Sequence, residues 1–319
     1  MKSNVNLHIH TAYSDGGKTV AEIVDGLKAA GVKYFSVTDH DTVEGNAKAA
    51  VLAKKHGIKF CTGVEISSCF SGGEIGLDAS YVCHIVGLDF NLKKMQTEVD
   101  RLLAFKCERI AELFKALVAD GYNLDEKAVF ESIAVKRREK IGKELIAKGY
   151  AQNMNEAFDR ILNSDKYAAY AKNVPSIKEA IDIIHNCGGI AVWAHPFGIT
   201  RGGKKELSET QVTELSASMI KYGIDGMEVY YQHYSQKQIK FLRNLAWKHM
   251  LPMSTATDYH GAPEDKISDP AYAANVRERL FFEKDIEIED CGSIINRIPS
   301  FKEGGDASGG NCFHQHGRR

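Results

Sequence analysis

The sequence lacks an excess of charge of either sign. Its 319 residues include 41 basic and 42 acidic side chains, for a formal net charge of -1. A surface without a broad positive field does not attract a long polyanion from a distance, so no stable complex with long nucleic acid is expected. Any recognition of phosphate must therefore be local.

The sequence also lacks a C-x-x-C pair, and we expect no hydrophobic leader. Without such a pair, a zinc-thiolate site is not expected. The seven cysteines are an odd number, which fits reduced thiols without disulfides. A polar, histidine-bearing segment begins within a few residues of Met1, where neither a signal-peptide core nor a membrane span can be placed. We expect a cytoplasmic protein with no membrane partner, and the sequence leaves its oligomeric state open.

What is present is an alternation of short apolar runs and amphipathic segments. Seven strands are predicted, at residues 5–9, 34–38, 59–66, 81–88, 190–193, 226–231 and 253–257. Thr19 and Glu22 form a capping box before the first helix, and Gly31 ends it. The pattern indicates an α/β fold of βα units around a parallel sheet, and the length suits one barrel with an insertion.

The strand pattern is interrupted in the middle of the chain. Between about residues 93 and 172, apolar side chains such as Val99, Leu102 and Leu103 recur at helical spacing. The predicted organisation is a barrel formed by residues 1–92 and 173–301 with a helical insertion at 93–172. The glycine-rich, apolar-poor stretch at 302–319 is predicted to be a disordered tail.

Histidine and carboxylate side chains stand at or near the ends of all the predicted strands except the sixth. His8 and His10 are two residues apart on the first strand, so both point to one face and can reach the same metal ion. The other candidate ligands are Asp15, His40, Glu65, His84, His195, Asp258 and His260. Barrel enzymes build active sites at this edge. A nitrogen and oxygen donor set suits zinc, manganese or Fe(II), with Glu65 as the bridging candidate.

Six separated motifs resemble those of the PHP superfamily, named for polymerase and histidinol phosphatase domains. They are HIHTAYSDG at residues 8–16, VTDHDT at 37–42, GVEIS at 63–67, HIVG at 84–87, AHP at 194–196 and TDYHG at 257–261. The resemblance implies a distorted (βα)7 TIM-like barrel. The segments TDHDTVEG, AFDRIL and GGIAVWAHPFG are similar to those of small stand-alone phosphoesterases that act on nucleotides or short oligonucleotides.

The resemblance also implies a trinuclear site with nine ligands for two or three divalent ions, Mn, Zn or Fe. The implied ligand sets are His8, His10, Glu65 and Asp258 for one ion, Glu65, His84 and His195 for a second, and Asp15, His40 and His260 for a third. Nine ligands leave coordination positions open for water and for phosphoryl oxygens.

Such a site predicts in-line attack on phosphorus by a metal-bound hydroxide bridged near Glu65. The leaving oxygen needs a proton, and the sequence leaves open a metal-bound water, Asp39 or His195 as its source. Arg137 or Arg138 is a candidate for binding phosphoryl oxygens, because a guanidinium offers two parallel donors. The charge run around them equally fits a solvent-exposed face. His233, just after the sixth strand, is a further substrate-binding candidate.

The leading prediction is a metal-dependent phosphatase for a phosphate monoester of a nucleotide or a similar small phosphorylated metabolite. A phosphodiesterase or exonuclease for a cyclic phosphate or a short oligonucleotide would use the same ligands. Hydrolysis of a C–N bond is more distant, since metal hydroxide also attacks carbonyl carbon. A non-catalytic PHP module that docks a partner is the alternative outside enzymes, and the presence of all nine ligand residues stands against it.

Overall fold

The computed structural model describes residues 4–77, 80–132, 137–167, 170, 174–200, 204–261 and 294–302. The predicted tail therefore lies outside the described residues, except for Lys302. The cysteines within the described ranges, Cys61, Cys69, Cys83, Cys107 and Cys187, are all free. Among the described helices, none is long and apolar enough to cross a membrane.

The N-terminal part of the chain forms two parallel βα units. A three-stranded sheet is made by β1 (Val5–Asn6), β2 (Tyr34–Phe35) and β3 (Lys59–Phe60). The connecting helices are α1 (Val20–Ala30) and α2 (Glu44–His56). Helix α1 begins at the predicted capping box of Thr19 and Glu22 and ends at Gly31, whose φ is 77°. Local sequence signals thus set both ends of this helix.

A second sheet contains the other described strands. These are β4 (Gly63–Ser71), β5 (Ser80–Leu88), β6 (Ile190–Trp193), β7 (Gly198–Thr200), β8 (Lys204–Glu206), β9 (Gly226–Tyr231) and β10 (Met253–Ala256). The order is β10-β9-β6-β5-β7-β8, with β4 paired to β5. Strands β6, β9 and β10 are parallel, but β5 is antiparallel to β4, β6 and β7.

The prediction of a uniformly parallel sheet is therefore wrong at β4 and β5. The connection between them contains only residues 72–79, including a 3-10 turn at Gly72–Ile75. A parallel neighbour needs a crossover of about a dozen residues or more. The short connection instead permits an antiparallel pair, in which Glu65 lies opposite Val86.

The two sheets meet through single bridges and do not form one closed barrel in the described residues. Ile9 pairs with Tyr259, and His40 pairs with Glu65. The described strands therefore do not form the continuous ring expected from the sequence. Backbone hydrogen bonds still join the two sheets, as from the Leu7 amide to the Thr255 carbonyl at 3.1 Å and from the Asp41 amide to the Glu65 carbonyl at 2.9 Å. The bridges still bring the polar ends of both sheets to one place.

The first part of the connection from β5 to β6, from Leu92 to Leu162, is mostly helical, in agreement with the helical spacing seen between about residues 93 and 172. It contains α3 (Leu92–Ala119), α4 (Glu126–Phe130), α5 (Arg137–Ala147), α6 (Met154–Glu156) and a π-helix at Ala157–Leu162. These elements share a hydrophobic cluster that includes Ile110, Leu117 and Ile141. The boundaries of this segment as a separate subdomain stay a prediction.

Three more helices, each begun by a serine capping box, pack against the second sheet. They are α7 (Ile177–Asn186), α8 (Glu209–Lys221) and α9 (Gln236–Lys248). The segment 294–302 packs Ile294, Ile298 and Phe301 into a cluster with Val5 and Leu88, on the side where β1 begins. The Ser300 amide donates to Asp89 at 3.3 Å and helps to hold this segment in place.

Candidate metal centre

Glu65 lies at the centre of the nine side chains that the sequence predicts as ligands, and it is fully buried. Its Oε1 is 3.0 Å from His84 Nδ1 and 3.1 Å from His195 Nε2. Its Oε2 is 2.9 Å from His40 Nδ1 and 3.2 Å from His10 Nε2. Strand β4 pairs with β5 on one side, and Glu65 forms a bridge with His40 on the other. Glu65 can therefore reach imidazoles from both sides.

A second set of close contacts lies where the ends of β1 and β10 meet. His10 Nε2 is 3.0 Å from Asp258 Oδ1 and 3.0 Å from His8 Nε2. Asp15 Oδ2, in the loop after β1, is 3.3 Å from His260 Nε2. All nine predicted residues are therefore brought together in one cluster.

Three groups of these side chains place their ligand atoms within 4.8 Å of one another. The groups are His8, His10, Glu65 and Asp258; His10, Asp15, His40 and His260; and His40, Glu65 and His84. The first coincides with a ligand set implied by the family resemblance. The second group adds His10 to the implied set of Asp15, His40 and His260. The third group contains His40 in place of His195. His195 Nε2 also lies 3.3 Å from His84 Nδ1, so it adjoins the third group.

Several atoms of the cluster are close together without being hydrogen-bonded. His10 Nδ1, His40 Nδ1 and Glu65 Oε2 are buried and have no hydrogen-bond partner among the described residues. His40 Nδ1 and Glu65 Oε2 are nevertheless only 2.9 Å apart. Buried polar atoms without a partner are costly. Donor atoms that converge without bonding to one another fit a common cation, and this donor set fits a divalent one.

The cluster keeps its carboxylates ionised although they are buried. Burial alone would raise the pKa of Glu65, but the charges of His84 and His8 hold it well below its ordinary value. Burial would likewise raise the pKa of Asp258, and the neighbouring His260 and His8 lower it well below the usual range. Buried carboxylates of this kind require positive charge around them.

Asp39 organises the loop that carries Asp15. Its carboxylate accepts hydrogen bonds from the Thr11 amide at 2.7 Å, the Thr11 hydroxyl at 2.7 Å and the Ser14 hydroxyl at 2.6 Å. The side chain is almost fully buried. All three of these hydrogen bonds thus come from the backbone and side chains of the loop.

Three residues in or beside the cluster have left-handed backbone conformations, with φ of 52° at Asp41, 27° at His195 and 51° at Asp258. For residues other than glycine, such conformations cost about 1–3 kcal/mol each. Nothing in the sequence signals them. The fold therefore concentrates backbone strain around the candidate ligands.

The described contacts of the two predicted substrate-binding arginines lie inside the helical segment. Arg137 Nη1 donates to Cys107 Sγ at 3.2 Å. Arg138 Nη2 donates to Asn163 Oδ1 at 2.6 Å, and burial lowers the pKa of Arg138 to about 10. Their contact with substrate stays a prediction.

His233, the third predicted substrate contact, lies beside the cluster rather than in it. Its ring is 4.9 Å from that of Tyr231, whose own ring is 5.9 Å from His195. The Tyr231 hydroxyl donates to Asp258 Oδ2 at 2.8 Å. A role for His233 in binding substrate also stays a prediction.

Two charged residues near the cluster were not singled out from the sequence. Lys106 Nζ, on α3, is 2.9 Å from Asp41 Oδ2, which links the helical segment to the residue after His40. A lysine on a helix carries no sequence signal for such a contact. Glu228 contacts His8 and His195 from the middle of β9. A signal for it existed, because it is a lone charge in the otherwise uncharged strand GMEVYY.

A model of the PHP domain family matches residues 6–215, more than half of the chain. The chain belongs to the PHP family. It is 32% identical over 266 residues to a 5'-3' exoribonuclease of Haemophilus influenzae, covering 82% of this chain and 91% of the relative. It is 26% identical over 267 residues to a 3',5'-nucleoside bisphosphate phosphatase of Chromobacterium violaceum, covering 82% of this chain and 89% of the relative.

Two solved structures are similar in fold to this chain. A Chromobacterium violaceum protein described as an amidohydrolase with bound sulfate is similar at a TM-score of 0.62 and 26% identity, over 82% of this chain and 89% of that one. A Bifidobacterium adolescentis structure described as a metal-dependent phosphoesterase shares the fold, at a TM-score of 0.56 and 22% identity over 85% and 94%. The prediction of a PHP-family phosphoesterase is confirmed by the relatives.

Proposed function

We propose that this chain hydrolyses a phosphate monoester of a nucleotide or a similar small phosphorylated metabolite, using two or three divalent ions of Mn, Zn or Fe. The observation that carries the proposal is the packing of eight histidine and carboxylate side chains around the buried Glu65. A name of one relative, 3',5'-nucleoside bisphosphate phosphatase, supports the substrate class. The bridges Ile9–Tyr259 and His40–Glu65 support a distorted seven-unit barrel as the scaffold.

The proposed ligands are His8, His10, Asp15, His40, Glu65, His84, His195, Asp258 and His260. Divalent ions bound there would lower the pKa of a water to about 7 and neutralise charge on the phosphoryl oxygens. The residues of the chain would orient the ester in the cluster and exclude bulk water from it. The buried positions of His8, His10 and Glu65 suit this role.

Exonuclease activity on a short oligonucleotide is the second candidate function. It is favoured by the relative named 5'-3' exoribonuclease, which is 32% identical to this chain. Both activities would use the same cluster, and they differ in the length of nucleic acid that the surface beside it accepts.

We propose that the helical segment contributes contacts to substrate phosphate, with Arg137 or Arg138 as a donor. Support comes from Arg137, whose partner Cys107 adjoins Lys106, the residue paired with Asp41 beside His40. A guanidinium at this edge would bind two phosphoryl oxygens in parallel. His233 is proposed as a further contact, beside Tyr231.

Incubating the protein with three substrates tests the proposed function. After removal of metal with a chelator, Mn2+ is restored and the protein is given a nucleoside 3',5'-bisphosphate, a mononucleotide and a short 5'-phosphorylated oligoribonucleotide. We expect chelation to abolish turnover and Mn2+ to restore it, with inorganic phosphate released from the small substrates. Release of mononucleotides from the oligomer alone would favour the exonuclease. No hydrolysis with Mn2+, Zn2+ or Fe2+ would contradict both and support a docking module.

The position of Asp39 favours a role in holding the loop over a role in proton transfer. Its carboxylate is buried and accepts three hydrogen bonds from Thr11 and Ser14. His195 reaches further into the open, with 14% of its side chain exposed. We therefore propose His195 or a water in the site as the source of the proton for the leaving oxygen.

Two substitutions of Asp39 separate these roles. Asp39→Ala leaves the Thr11 amide and the Ser14 hydroxyl without an acceptor, at a cost of about 1–3 kcal/mol, so we expect lower stability and lower activity. Asp39→Asn keeps one acceptor oxygen, and the Thr11 hydroxyl can accept from the new amide group. We expect Asp39→Asn to retain most of kcat with an unchanged pH profile. Equal inactivation by both changes would identify Asp39 as a proton-transfer group.

A further inference from the structure

A buried carboxylate lies behind the candidate metal centre. Glu228 is 1% exposed and sits in the middle of β9, where every residue is buried. Its Oε1 is 2.8 Å from His8 Nδ1, and its Oε2 accepts a hydrogen bond from the His195 backbone amide at 2.8 Å. One carboxylate therefore contacts two proposed ligands that come from different strands.

The contact with Glu228 fixes which nitrogen of His8 faces the cluster. A neutral imidazole has one donor and one acceptor nitrogen, whereas an ionised carboxylate only accepts. In the neutral imidazole that a metal ligand must be, the proton then lies on Nδ1, towards Glu228. The lone pair on Nε2 faces Glu65 at 3.3 Å and His10 at 3.0 Å, which is the arrangement that a metal ligand needs.

The second contact supports a strained backbone. His195 has φ of 27°, a conformation that residues other than glycine adopt only when their surroundings hold them there. Its amide is fixed by Glu228, and its side chain then reaches Glu65 at 3.1 Å. Loss of the acceptor would free this backbone to relax and would withdraw the imidazole from the cluster.

We infer that Glu228 is a positioning residue for the metal centre: it sets the tautomer of His8 and holds the backbone of His195, and so raises the affinity for the cation. The inference rests on the proposed metal-dependent function. It also explains how the sixth predicted strand, which has no candidate ligand at its end, contributes to the site. Carboxylates that orient metal-binding histidines typically change metal affinity or activity by about 10–100-fold when replaced.

Glu228→Gln is the sharpest test because it keeps the shape of the side chain. Its single acceptor oxygen can serve His8 or the His195 amide, but not both, and its NH2 group faces the other. The Zn2+ affinity of the metal-free protein is measured by competition with a chromophoric chelator. We expect an affinity about 10–100-fold below that of the wild type, together with thermal unfolding close to that of the wild type.

Asp225→Asn is the matched control. Asp225, just before β9, also binds one histidine and one backbone amide, because its Oδ2 contacts His185 Nε2 at 2.7 Å and the Ala191 amide at 2.8 Å. Neither of these partners is among the nine proposed ligands, so Zn2+ affinity should stay at the wild-type value. An equal loss of affinity in Asp225→Asn would show that Glu228→Gln acts through general stability, and would overturn the inference.

A measurement on the wild-type protein covers the case in which Glu228→Gln does not fold. In protein labelled with 15N-histidine and loaded with Zn2+, long-range NMR correlations should show His8 protonated at Nδ1. Protonation at Nε2, or wild-type Zn2+ affinity in Glu228→Gln, would contradict the role of Glu228 and leave the proposed function in place. A wild-type protein that binds no Zn2+, Mn2+ or Fe2+ would instead contradict the proposed function.

Discussion

Replacing His10 by alanine should lower kcat by about 10³-fold or more, because metal ions contribute several kcal/mol of charge stabilisation and each tenfold in rate corresponds to about 1.4 kcal/mol. His10 belongs to two of the three groups that could hold an ion. Its Nε2 is 3.0 Å from Asp258 Oδ1 and 3.2 Å from Glu65 Oε2. Its loss would therefore disturb more than one cation. Asp258→Ala should have a similar effect, since Asp258 also contacts His8.

The fold should survive the change at His10. The bond that holds this segment in place is made by its backbone amide, which donates to the Tyr259 carbonyl at 2.8 Å and is kept in the variant. The measurements are phosphate release, metal content per chain by elemental analysis, and circular dichroism. His56→Ala is the matched control, because His56 pairs with Asp25 at 3.3 Å, away from the cluster. Unchanged turnover in His10→Ala and Asp258→Ala would refute the ligand assignment.

Replacing Ile298 by alanine should lower the free energy of unfolding by about 2–5 kcal/mol, the usual cost of emptying a packed core position. Ile298 is fully buried in the cluster with Val5, Leu7, Val86 and Leu88. That cluster contains none of the nine proposed ligands, so kcat of the folded protein should not change. Urea unfolding, with activity measured at low denaturant, separates the two effects.

Val51→Ala is the control for this prediction. Val51, on α2, is 69% exposed, and a substitution at such a site changes stability by about 0.5 kcal/mol or less. Wild-type stability of Ile298→Ala would mean that the segment 294–302 does not close the core as described. A loss of activity in the folded variant would mean that this end of the fold is coupled to the cluster.

The convergence of the candidate ligands could be predicted from the sequence because their signals are local. His8 and His10 share a face through the two-residue period of a strand, and a capping box with Gly31 marks the helix that follows. Strand direction carries no such local signal. Apolar periodicity is the same for parallel and antiparallel strands, and only the length of the connection 72–79 bears on the orientation of β4 and β5.

The contacts of long or buried polar side chains could not be predicted from the sequence. Glu228 lies in mid-strand, whereas ligands were sought at strand ends, and its partner atoms come from residues 220 and 33 positions away. The contacts of Lys106 and Arg138 likewise depend on how α3 and the π-helix pack. Such partners are set by tertiary structure rather than by any spacing along the chain.

The left-handed conformations of Asp41, His195 and Asp258 have a consequence for how this protein can be changed. Glycine adopts such backbone angles without steric cost, so at these positions it would relieve the conformation while deleting the polar group. Met250 has a similar angle away from the nine residues and is 87% exposed, so glycine there would relax the backbone alone. Selection for heat resistance would thus favour glycine at both Met250 and His195. Selection for turnover would accept glycine at Met250 but would keep the histidine at position 195.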